Sequence, residues 1–137
     1  MKILKLILLV FVIFLAIDYF GRSPLVKEID ELKKPIGFEV VNIDSIVQKY
    51  ILPGSSKEQV VNSLKSYGFE VLEESPVPGF YFMDILKGKC DQCSDIVVGI
   101  YTFKFLYILP AYKISIDIGF QDDHAIFITG GYVQSLP

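Results

Sequence analysis

Cysteine and histidine are the scarcest chemistry-bearing residues of this 137-residue chain, with two of the first and one of the second. A zinc site needs about four ligands. Cys90, Cys93 and His124 cannot supply them, so no metal and no other cofactor is expected. A Gly-rich phosphate loop, an HExxH pair and a nucleophile elbow are also missing, and with them the common signatures of nucleotide, metalloprotease and hydrolase chemistry. Basic excess is lacking too. The net charge is −3, and no basic patch carries interleaved aromatics, which argues against a nucleic-acid partner. Solenoid repeats and low-complexity tracts do not occur. No catalytic residue is expected, and the chain reads as a non-enzyme.

What is abundant is apolar and aromatic. Hydrophobic residues make up 52% of the chain and aromatics 14%, and the mean hydropathy is +0.47. The body of such a chain has too much to bury to remain disordered. Part of the excess is local. After Lys2 and Lys5, Leu6 to Ile17 runs without a polar residue until Asp18, and Tyr19, Phe20, Gly21 and Arg22 follow. A basic start before a compact apolar run is the layout of an export signal. Counted from Ile3 to Phe20, the segment is just long enough to span a bilayer, which takes about 20 residues. Tyr19 and Phe20 would then stand at the headgroups.

The region after Ala16 offers no small-residue cleavage site, and no cysteine follows the apolar run to carry a lipid. An uncleaved anchor over residues 1–22 is therefore the first reading, a cleaved signal of a secreted domain the second, and a buried core helix the third. Lys2 and Lys5 favour a cytoplasmic N-terminus and an extracytoplasmic domain. Residues 23–40, mixed in charge and broken by Pro24 and Pro35, read mainly as a spacer that lifts a domain over 41–137 off the bilayer. A short helix over Leu25 to Leu32 is the variant of that reading.

Two helices are expected next. Ile43, Ile46, Val47 and Tyr50 share one helical face, with Asn42 or Asp44 to start it and Leu52-Pro53-Gly54 to stop it. Ser55 and Glu58 have the spacing of a capping box. Val60, Val61 and Leu64 form the second stripe, and Gly68 is placed to end it. From Phe69 the period changes to two. Strands are expected over Phe69–Leu72, Phe80–Leu86, Ile96–Leu109 (with a bulge at Gly99), Tyr112–Phe120 and Ala125–Val133, and Asp122-Asp123-His124 makes the last turn. No room exists for helical crossovers between the strands. The fold class is α+β: an N-terminal apolar helix, then two short helices packed on a three- to five-stranded antiparallel meander.

The run Ile51-Leu52-Pro53-Gly54-Ser55-Ser56-Lys57-Glu58-Gln59-Val60, with Leu64, Gly68-Phe69 and the later Lys113-Ile114-Ser115-Ile116-Asp117-Ile118 to Asp123, resembles the two-helix and antiparallel-sheet module of the BamE/SmpA family and of β-lactamase-inhibitor-like domains. The resemblance covers about residues 42–133. It implies an extracytoplasmic binding module without catalysis. That family is anchored by lipid on a cysteine after the signal, which this chain lacks, so membership in the assembly machine does not follow.

Cys90-Asp91-Gln92-Cys93 admits a structural disulfide, thiol–disulfide exchange or half a zinc site. Exchange needs the first thiol at a helix N-terminus, and here a loop between strands surrounds the pair. A disulfide suits an exported domain, and closing so short a loop contributes about 2 kcal/mol or less. His124, between acids in a turn, is explained by turn chemistry alone. The aromatic density is the better candidate for function. Tyr101, Phe103, Phe105 and Tyr107 line one sheet face, which the two helices would cover. If Tyr81, Tyr112 or Tyr132 occupied the other face, an amphipathic recognition surface would result. The first functional expectation is a membrane-anchored interaction module with a protein partner in the cell envelope. A thiol–disulfide protein using Cys90 and Cys93, or a secreted inhibitor-like domain, are the alternatives.

Overall fold

In the computed structural model, residues 1–74, 90–103 and 111–135 are described. Helix α1 (Lys2–Gly21) buries none of its side chains. At 1.5 Å rise per residue its 20 residues reach about 30 Å, the thickness of a bilayer's hydrocarbon core. Among the described residues it is the one helix long and apolar enough to cross a membrane. It fits a membrane anchor or a signal sequence.

Directly after it comes helix α2 (Pro24–Asp30), started by Ser23, whose side chain accepts the Val26 N–H, and by Pro24, whose missing N–H costs nothing in a first turn. Leu25, Val26 and Ile29 are completely buried. This corrects the reading of 23–40 as a solvated spacer. Three apolar residues, each contributing about 1.5–3 kcal/mol on burial, pull the segment into the core while its charges face out. The folded unit therefore begins near Ser23.

Strand β1 (Val40–Asn42) leads into helix α3 (Asp44–Tyr50), and helix α4 (Lys57–Ser66) follows. Asn42 Oδ1 accepts the Asp44 N–H at 3.0 Å. Asp44 Oδ1 accepts from the Gly130 N–H at 2.8 Å and the Thr129 hydroxyl at 2.9 Å, tying the start of α3 to the sheet. The capping box of α4 lies one residue later than the spacing suggests: Ser56 and Gln59, rather than Ser55 and Glu58, exchange side-chain and backbone bonds. Ser55 instead donates to the Leu52 carbonyl, closing the turn between the helices. Helix α4 ends in a Schellman motif, with Phe69 N–H bonded to Leu64 O, Gly68 N–H to Lys65 O, and Gly68 at φ +86°.

The remaining strands are β2 (Glu70–Glu74), β3 (Asp95–Thr102), β4 (Ala111–Gln121) and β5 (His124–Ser135). All pairs are antiparallel and the sheet order is β1-β5-β4-β3-β2. The fold is the expected α+β layer. The register runs unbroken through Gly99, and the bulge lies at Gly119/Phe120 instead. Asp122 and Asp123 both have positive φ, as a two-residue type I′ hairpin requires, and His124 is already the first residue of β5. The strand expected over Phe80–Leu86 and the far part of the one expected over Ile96–Leu109 lie outside the described residues.

The helices cover one sheet face, where Val97, Ile114, Ile116, Ile118, Phe120, Ile128 and Tyr132 are buried. Two glycines of this face let helices approach. A Cβ on Gly130 would meet Ile43 Cγ1 of the α3 cap at 2.7 Å, and one on Gly99 would meet Leu64 of α4 at 3.1 Å.

Candidate functional site

Where α1 meets the domain, charges and aromatic rings converge. Arg22 follows α1 and reaches back to Asp18 (2.7 Å) and forward to Asp30 at the end of α2 (2.9 Å). Its guanidinium also lies 5.1 Å from the centre of the Phe103 ring. Only 14% of the side chain is exposed. Burial works against its charge, but the hydrogen bond and fields of Asp18 and Asp30 prevail, and its pKa is raised. The remaining donor, Nε, is buried with no hydrogen-bond partner among the described residues.

Lys34 enters the same cluster from the far side of Asp30, with which it pairs. Its ammonium donates to the Tyr132 hydroxyl at 3.0 Å. It stands 5.5–5.6 Å from the ring centres of Phe103, Tyr112 and Tyr132. Burial penalises the Lys34 charge, yet Asp30 and the Tyr132 hydroxyl raise its pKa. Burial raises the Tyr132 and Tyr101 phenols as well. The rings form one chain, Phe69–Tyr101–Phe103–Tyr132–Tyr112, with neighbouring centres 5.1–5.9 Å apart. Such spacing is that of attractive aromatic pairs, and the cations above the rings add to it. A groove of about 330 Å³ opens beside Asp18, Arg22, Glu70, Tyr101 and Phe103. Among the described residues of this cluster no nucleophile and base meet; the contacts join the end of α1 to the domain.

Of the aromatic residues singled out in the sequence, Tyr101, Phe103 and Tyr112 are brought together here, and Tyr81, Phe105 and Tyr107 lie outside the described residues. The face differs from the expectation. Tyr112 and Tyr132 share the helix-side face with Tyr101, because Tyr101 is paired with Ile114 and Ile114 with Tyr132 in register. The sequence reading missed Asp18, Arg22, Asp30 and Lys34. Their one signal was the i, i+4 spacing of Asp18 with Arg22 and of Asp30 with Lys34, which marks facing ion pairs on a helix.

Cys90 and Cys93 lie at disulfide distance, with their Cα atoms 5.5 Å apart. They sit at the opposite end of the sheet and on its other face. A Cβ on Gly119 would run into Cys93 Sγ and stand 3.3 Å from Cys90 Sγ, so the pair rests on bare backbone. Ser94 then bonds the Phe120 carbonyl through both its N–H (2.8 Å) and its hydroxyl (3.1 Å), and β3 starts at once. The pair thus precedes a strand, without the helix N-terminus that would lower a thiol pKa. His124 Nδ1 is 3.2 Å from the Gly54 carbonyl and joins the hairpin to the α3–α4 turn. Among the described residues no three potential metal ligands converge.

The sheet face away from the helices carries Leu72, Ile96, Val98, Ile100 and Phe127 beside Ser115, Asp117 and Thr129. These side chains are half-exposed, except Leu72, which is 42% exposed. Comparison of the chain with family models, curated proteins and solved structures gives no match.

Proposed function

We propose that this chain is a membrane-anchored interaction module of the cell envelope, with its domain on the extracytoplasmic side, working by binding and not by catalysis. The observation that carries the reading is the junction. A fully exposed apolar helix of spanning length is joined to a folded domain by the clamped Arg22. Lys2 and Lys5 favour a cytoplasmic start, and a cysteine pair at disulfide distance suits an oxidising compartment. The partner is a protein, and the half-exposed apolar face around Leu72 and Val98 is the surface offered to it. The order of α3 and α4 before consecutive antiparallel strands is what the domain shares with the BamE/SmpA-like module, and it supports a common mode of binding.

The test joins topology to contact. Protease added outside intact cells is expected to digest the domain, and alkaline carbonate is expected to leave the protein in the membrane. A photo-cross-linker at Leu72 should give a discrete adduct, whereas one at the exposed Gln48 on α3 should not. A domain shielded on the cytoplasmic side, or equal labelling from both positions, would overturn the proposal.

A further inference from the structure

The end of the sheet from which α1 departs carries a second feature. Residues 36–39 form a closed turn: the Glu39 N–H donates to the Ile36 carbonyl at 3.1 Å, and the Glu39 carboxylate accepts the Ile36 N–H at 3.2 Å. Gly37 supplies the positive φ, +62°, and its N–H is bonded to Gln134 Oε1 at 2.8 Å. Pro35 is buried at the base. A turn braced in this way holds two apolar side chains outward, Ile36 at 72% and Phe38 at 92% exposure, with the exposed Val40 next along the chain. Single exposed apolar residues are ordinary, but three alternating along a fixed turn and edge strand form a patch.

Its position says what covers it. Gln134, which holds the turn, is opposite Tyr112 in the β4–β5 ladder. The Tyr112 ring lies under Lys34, and Lys34 and Arg22 stand over the same Phe103 ring. The turn is therefore at the same end of the domain as Asp18, Tyr19 and Phe20, where α1 would leave the bilayer. Aromatic side chains are favoured at that level, and apolar side chains there enter the headgroup boundary. Exposed Lys33, two residues before the buried Pro35, is placed for headgroup phosphates.

We infer that the Ile36–Glu39 turn is a second membrane contact, in which Phe38 and Ile36 insert into the surface of the bilayer that holds α1. The inference rests on α1 being an uncleaved anchor. It gives the domain two points of attachment and hence a fixed tilt, with β1 toward the lipid and the Cys90–Cys93 end away from it.

The chain contains no tryptophan, so Phe38→Trp provides a single reporter, and Leu52→Trp, 63% exposed in the turn at the far end, provides the control. Full-length protein is reconstituted in phosphatidylcholine vesicles with and without brominated acyl chains. Phe38→Trp is expected to emit at shorter wavelength and to be quenched several-fold more strongly than Leu52→Trp. Equal quenching of the two in protein retained after carbonate washing would overturn the inference and leave the anchor intact. Release of both variants by carbonate would instead overturn the anchor itself. A blue shift that grows with protein density and shows no bromine quenching would identify a second copy as the cover, and would also sink the inference. Both sites are exposed, and unchanged thermal unfolding of each variant is the control for folding.

Discussion

Arg22 combines functions that are usually separate. It ends an apolar helix, bridges two carboxylates and covers an aromatic ring, all with one planar group. Lysine could satisfy one carboxylate at a time, but not both together with the ring. Arg22→Ala removes one of the two cations on Asp30 and over the Phe103 ring, together with the Asp18 pair, and is expected to cost about 1.5–3 kcal/mol, the range of hydrogen bonds to charged groups. Arg22→Lys should recover only part of it, as chemical denaturation would show. Glycines set a second class of residue effect. Gly130→Ala drives a methyl into Ile43 and Val47, and overpacking of this kind costs about 1–3 kcal/mol. Gly119→Ala acts on the other face, against the cysteine pair. Its cost should shrink in a Cys90→Ala, Cys93→Ala background, a coupling that a double-mutant cycle measures.

At the scale of elements, α2 is the piece that charge concealed. Leu25, Val26 and Ile29 give a short stripe among six charged residues between Lys27 and Lys34, and its burial depends on contacts with α3 that no local pattern reveals. Strand β1 is hidden for a similar reason: three residues cannot show a period, and their partner lies at the other end of the chain. The capping box was legible as a feature but ambiguous by one position, since Ser55/Glu58 and Ser56/Gln59 share the spacing. Ser56→Ala should therefore cost about 1 kcal/mol, while Glu58→Ala should be nearly neutral in thermal unfolding. By contrast α3, α4, β4 and β5 follow their periodicities closely, because each buries one continuous face. The candidate junction was the least legible part. Its members come from α1, α2, the following loop and three strands, and only the fold brings them together.

The α2–α3 contact also carries a pH dependence. The Glu28 carboxylate pairs with Lys49 and accepts from the Tyr50 hydroxyl at 2.8 Å, and these partners hold it below its ordinary value of 4.5. A depressed carboxylate favours the folded state above the unfolded pKa, and that contribution is lost as pH falls through the lower folded value. Glu28→Gln should thus flatten the acid limb of a stability profile below about pH 5.

For the whole molecule, the boundary between α1 and the domain decides what can be removed. Residues 1–21 contribute no buried side chain, and among the described residues their side-chain links to the domain are the Asp18–Arg22 pair and the contact of Lys27 with the rings of Tyr19 and Phe20. A chain starting at Arg22 should stay folded, within about 1 kcal/mol of the full protein, because exposed ion pairs are worth little. A chain starting at Val41 loses all of α2 and should not fold. Losing three fully buried side chains removes about 5–9 kcal/mol, comparable to the whole stability of a small domain. Circular dichroism of the two truncations distinguishes them at once.

The pairing of β1 with β5 gives the molecule a schedule. Val40 waits for Val133, and the N-terminus of α3 waits for Gly130, so an early part of the domain to leave the ribosome is the last to find its partners. If α1 draws the chain into a membrane, as proposed, the domain meets that barrier before its sheet can close. On the proposed topology, closure of the sheet is then an event of arrival: it takes place on the far side, after β5 has crossed.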